Sequence, residues 1–162
     1  TAGAGYCDVG AVKKGEKTFI AALLGCGWPP HRTYKWEDMG RLLAFGDENY
    51  DFYELLKETP ELPPIPVKNG IGSQTGLTVG YPEPASLKIL MNQNEPVTIK
   101  KKVAKELTAP VAAGMAVGQV DYYVGEDLVA SFPVTASETV GKWDLEFCVK
   151  TLLNGFLFCY NG

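Results

Sequence analysis

Tyr6-Cys7-Asp8-Val9-Gly10-Ala11-Val12 and Thr18-Phe19-Ile20-Ala21-Ala22-Leu23-Leu24, joined by Lys13-Lys14-Gly15-Glu16-Lys17, decide the fold class. The joining residues supply the glycine and the charge of an exposed turn, so residues 1–27 predict a β-hairpin. Its second arm is nearly continuous in apolar residues, as a strand covered on both faces requires. A hairpin alone is only marginally stable in water, so this one must lie against something larger. Residues 33–46 predict that partner, a helix. Thr33 is its N-cap, Glu37 and Asp38 lie near its positive end, and Gly46 is its C′ residue. Trp36, Met39 and Leu43 recur at helical spacing, widened by Leu42 and Phe45, a stripe that suits a core better than a cofactor box. Strand, turn, strand and helix over residues 1–46 make one edge of an α/β or α+β layer structure.

Working outward, Tyr50–Leu56 predicts a strand, since Tyr50 and Phe52 alternate, although Leu55-Leu56 would also suit a helix. Thr59-Pro60-Glu61-Leu62-Pro63-Pro64-Ile65-Pro66 can continue neither a helix nor a central strand and predicts a linker. Beyond it the period changes to two. Leu87, Ile89 and Met91 share one face. Val97, Ile99 and Val103 share another, with Lys100 and Lys102 opposite. Val120, Tyr122 and Val124 lead through Gly125-Glu126-Asp127 to Leu128, Ala130, Phe132 and Val134, a second hairpin. From Gly141 the period returns to helical, with Leu145, Cys148, Val149, Leu152, Leu153 and Phe156 on one stripe. The expected organisation is therefore a hairpin-and-helix edge over 1–57, a Pro-rich linker over 58–66, a small antiparallel β-sandwich over 67–140, and an amphipathic helix over 141–162.

Composition narrows the function. Of the 162 residues 46% are hydrophobic, enough for a core and against disorder. A net charge of −4 disfavours general nucleic-acid binding. Eighteen glycines and eleven prolines suit short strands and many turns rather than a helical bundle. The chain opens at Thr1 without Met, which suggests a processed piece whose upstream part is not visible. Four cysteines, Cys7, Cys26, Cys148 and Cys159, are too sparse for a disulfide scaffold and predict free, mostly buried thiols.

The residues alone assemble no complete active site. A serine nucleophile needs a base within reach, and none of Ser73, Ser86, Ser131 or Ser137 has a lysine three residues on. His31 stands alone in a Trp28-Pro29-Pro30-His31-Arg32 turn, far from any cysteine, and reads as a solvated residue rather than a metal ligand. Gly70-Ile71-Gly72-Ser73-Gln74-Thr75-Gly76 lacks the Lys-Ser/Thr of a phosphate loop and predicts an inter-strand loop. Glu37 and Asp38 are adjacent on a helix and point apart, so they are no acid/base pair. Lys100-Lys101-Lys102 with Lys105 reads as a solvated strand face before it reads as a polyanion site.

One family orders these pieces. Ala4-Gly5-Tyr6-Cys7, Phe19-Ile20-Ala21-Ala22-Leu23-Leu24-Gly25 and the helix end Leu42-Leu43-Ala44-Phe45-Gly46 resemble the end of the catalytic domain of the low-molecular-mass penicillin-binding proteins, the serine D-Ala-D-Ala carboxypeptidases. Leu107-Thr108-Ala109-Pro110-Val111 and Val117-Gly118-Gln119-Val120 resemble the β-rich second domain of the same enzymes. The family's Ser-x-x-Lys, Ser-x-Asn and Lys-Thr-Gly are absent from this chain.

The resemblance implies an α+β chain comprising the closing hairpin and helix of a transpeptidase-like domain, then the β-sandwich and the C-terminal helix. It implies no catalytic residue within the chain. Thr1, Ala2 and Gly3 would lie at the edge of the substrate cleft or serve structure alone. The parent would trim the terminal D-Ala from peptidoglycan stem peptides through an acyl-enzyme, without metal or organic cofactor. It would act outside the cytoplasm, on the outer face of a bacterial cytoplasmic membrane, in cell-wall synthesis and cell shape. Trp143, Phe147, Leu152 and Phe156 would be the membrane contacts. The exposed hairpin would pair with the missing fragment or with a second copy. A non-catalytic β module that positions a partner at the membrane or wall is the alternative.

Overall fold

A two-stranded hairpin cannot hide both of its faces, and the way this one hides a single face organises the first half of the chain. The computed structural model describes residues 2–57 and 59–158. They form two compact units. Unit 1 comprises the residues up to Leu55 together with Leu87–Glu95, and unit 2 comprises Leu56–Ser86 and the residues from Pro96 onward.

In unit 1, β1 (Asp8–Lys14) and β2 (Lys17–Leu23) pair antiparallel with Val9 opposite Ala22 and Ala11 opposite Ile20. The helix α1 (Tyr34–Asn49) packs on the other face. Two glycines let it approach. A β-carbon on Gly10 would stand 2.8 Å from Met39 Sδ, and one on Gly46 would stand 2.9 Å from the Phe19 ring. Gly46 is therefore buried inside the helix and does not end it; the helix runs one turn further, to Asn49. Thr33 does stand at the N-cap position, but its side chain makes no capping bond.

Only part of the predicted core stripe is covered. Met39 is buried and Leu43 half-buried, whereas Trp36, Leu42 and Phe45 are exposed, because a sheet two strands wide touches one narrow strip of the helix. The second arm of the hairpin likewise packs on one face alone. Ile20 is 73% exposed and Leu24 85%.

The chain leaves α1 directly into β3 (Tyr50–Glu54), where the predicted strand at 50–56 gives way at Leu55 to a short 3-10 turn. Lys17 holds this exit: its ammonium donates to the carbonyl of Tyr50 at 2.7 Å and lies 3.6 Å from the Asp51 carboxylate.

Unit 2 begins with β4 (Ile65–Lys68), β5 (Gln74–Thr75) and β6 (Leu77–Val79). β7 (Lys88–Asn92) then returns to unit 1 and pairs antiparallel with β3, Phe52 opposite Leu90. Residues 88–92 read as part of the continuous β-rich stretch in the sequence. The alternation was correctly legible, but their partner is β3, which precedes the Pro-rich segment. Unit 2 resumes with β8 (Val97–Val103), β9 (Leu107–Thr108), β10 (Ala116–Val124), β11 (Asp127–Ala136) and α2 (Leu145–Phe158).

Two sheets result in unit 2, one of four strands in the order β6-β11-β10-β8 and one in the order β5-β4-β9. The predicted hairpin at 120–134 is the centre of the larger sheet, with Val120 opposite Phe132 and Tyr122 opposite Ala130. Val111, Val120, Tyr122 and Val134 are fully buried and form the heart of this unit. Tyr122 also satisfies its hydroxyl there, 3.0 Å from that of Tyr81. Ile65 and Val67 at the end of the Pro-rich segment are buried as well, so that segment closes into the core as β4.

Candidate functional site

The expected cleft edge is the entry to β1. Thr1 lies outside the described residues. Ala2 and Gly3 belong to a single 3-10 turn, Ala2–Ala4, and Gly3 is exposed. The chain is then fastened to the end of β2. The Tyr6 amide donates to the Gly27 carbonyl at 2.9 Å, and the Cys26 amide donates to the Tyr6 carbonyl at 2.8 Å.

The cysteines differ from the buried thiols predicted. Cys7 is exposed, and Cys26 and Cys148 are half-buried; all three are free. Cys159 lies outside the described residues. The Cys26 thiol donates to Asp38 Oδ2 at 3.0 Å, and this bond, then burial, holds its pKa above the usual thiol range. Asp38 also receives Arg41 at 3.3 Å and is thus committed to local partners. Between β2 and α1, Leu23, Asp38, Arg41, Leu42 and Phe45 line an open groove of about 540 Å³. The sequence showed the helical stripe but not that the hairpin would be too narrow to fill it.

Two of the serines are held by local partners. Ser131 Oγ donates to Asp121 Oδ1 at 2.7 Å, and Ser137 Oγ shares a hydrogen bond with Thr78 Oγ1 at 2.9 Å. Asp121 is fully buried, and its lowered pKa makes it a weak base. The Lys102 ammonium 2.8 Å away, followed by Ser131, holds its carboxyl down to about 2. His31 stacks on Tyr34 with ring centroids 4.7 Å apart. Among the described residues no three His, Cys, Asp or Glu side chains gather as metal ligands would.

Of the glycine-rich stretch 70–76 only residues 70–73 form an inter-strand loop, because Gln74–Thr75 pair with β4 as β5; the loop is tied to the segment before α2. Gly70 bridges to Lys142, and the Ile71 amide donates to the Gly141 carbonyl at 2.9 Å. The lysine run is occupied locally. Lys100 lies over the Tyr123 ring at 4.2 Å, Lys101 donates to the Glu61 carbonyl at 2.8 Å, and Lys102 faces Asp121.

The last helix starts later than its period suggested. Residues 141–144 are held by the Gly70 bridge and by the Trp143 amide donating to Asn69 at 2.8 Å, so Trp143 precedes α2. Asp144 then opens the helix by accepting the Phe147 amide at 3.0 Å. Of the proposed membrane contacts, Trp143 and Leu152 are 59% and 63% exposed, and Phe147 is half-buried against Trp143 with centroids 5.7 Å apart. Phe156 lies in α2, and its side chain is outside the described residues. Among the described residues no helix is long and apolar enough to cross a membrane.

These elements define a sheet-rich α+β chain with two helices, similar to the C-terminal domain of a class of penicillin-binding proteins. Residues 64–142 match the family described as Penicillin-binding protein 5, C-terminal domain. The D-alanyl-D-alanine carboxypeptidase DacF of Bacillus subtilis is 27% identical over 145 residues, covering 88% of this chain and 36% of the relative. The D-alanyl-D-alanine carboxypeptidase DacD of Escherichia coli is 26% identical over 145 residues, with the same coverage of each chain. The crystal structure of the D-alanyl-D-alanine carboxypeptidase DacD from Francisella tularensis shares the fold, with a TM-score of 0.52 at 20% identity over 88% of this chain and 34% of that one. The chain thus spans about a third of the length of these relatives, consistent with a C-terminal portion of such a protein.

Proposed function

We propose that this chain is the C-terminal part of a serine-type D-Ala-D-Ala carboxypeptidase that trims the terminal D-Ala from peptidoglycan stem peptides through an acyl-enzyme. The observation that carries this is the match running through both units, 88% of the chain, to proteins named for that activity. Nucleophile, base and the Lys-Thr-Gly strand would stand upstream of Thr1, and the chain alone would be inactive. The joint loss of nucleophile and base leaves only residual, non-nucleophilic catalysis. The uncovered hairpin face around Val9 and Ile20 fits a surface made to be covered, by the upstream part or by a second copy. The two sheets of unit 2 would form the sandwich that carries α2.

The protein would work outside the cytoplasm, with α2 on the outer face of the membrane. Exposed Leu145, Val149, Leu152 and Leu153 support this, and their burial would contribute on the order of 5 kcal/mol before ordering costs. Lys142 and Lys150 are offset by Asp144 and Glu146, so the apolar term would dominate.

Fluorescent penicillin, followed by a denaturing gel and intact mass, tests the proposal on two proteins. A product extended upstream to include Lys-Thr-Gly and Ser-x-x-Lys is expected to acylate stoichiometrically, and the present chain is expected not to. A covalent adduct on a serine of this chain, or an upstream sequence without those motifs, overturns the assignment and leaves the non-catalytic β module.

A further inference from the structure

We draw no further inference here: the strongest candidate, the exposed aromatic patch of Trp28, Tyr34 and Trp36 at the start of α1 in unit 1, carries nothing because nothing in the structure shows what covers it.

Discussion

Asp121 and Lys102 form a cross-strand ion pair in which one partner is wholly buried and the other reaches into water. The Asp121 carboxylate, at the centre of the four-stranded sheet, lies 2.8 Å from an ammonium whose side chain is 60% exposed. Ser131 and Gln119 each donate to its second oxygen at 2.7 Å. A buried carboxylate is tolerated only when it is paired and hydrogen-bonded in this way. Removing Lys102 strands a buried charge. Lys102→Met is therefore expected to lower the melting midpoint of the chain by roughly 5 °C or more, read by circular dichroism. An unchanged midpoint would show that Ser131 and Gln119 suffice.

The same pair sets an acid limit. The folded carboxyl of Asp121 is depressed to about 2, below the ordinary value of 3.8, so its contribution is complete above about pH 4 and is lost as pH falls toward 2. Stability measured by urea titration between pH 5 and 2 should fall, and Asp121→Asn should remove part of that slope. Parallel slopes in the two proteins would place the acid sensitivity elsewhere.

Gly118 and Gly10 both sit under close contacts, but of different kinds. A β-carbon on Gly118 would strike the Lys102 carbonyl oxygen and stand 2.7 Å from Val103 Cα, both backbone of the paired strand β8. At Gly10 the obstacle is the flexible end of Met39. Gly118→Ala should cost about 2–3 kcal/mol and Gly10→Ala about 1 kcal/mol or less, compared by urea midpoints. Equal losses would mean that β8 can move away from β10 as easily as Met39 can turn aside.

Thiol reactivity should separate Cys7 from Cys26. The first is exposed, whereas the second donates to Asp38, which raises its pKa. Only the thiolate is nucleophilic, so at pH 8 a maleimide should label Cys7 well before Cys26, followed by peptide mass mapping. Asp38→Asn should speed labelling of Cys26 and leave Cys7 unchanged.

Vesicle co-sedimentation addresses α2. The chain should bind anionic lipid vesicles, keep most of that binding at high salt, and lose it on Leu152→Asp, because Leu152 is a largely exposed apolar residue of the helix. If wild type and variant both stay in the supernatant, α2 is a packing helix only.

Local physics written into neighbouring residues was legible at once. The turn Lys13–Lys17 set the hairpin β1–β2, the alternation around Tyr122 and Phe132 set β10–β11, and the apolar period set α1 and α2. The absence of a serine with a partnered lysine was also visible, since spacing on a helix is a local property. Three features depended on distant residues. The chain was seen to alternate at 88–92, yet its partner there is β3, because antiparallel pairing is chosen by which edge is free and not by sequence distance. Gly46 has the chemistry of a helix end, but Phe19 packs against it and the helix continues past it. Trp36, Leu42 and Phe45 carry a core pattern and remain exposed, because periodicity specifies which face of a helix is apolar and only the packed tertiary structure decides how much of that face finds a partner.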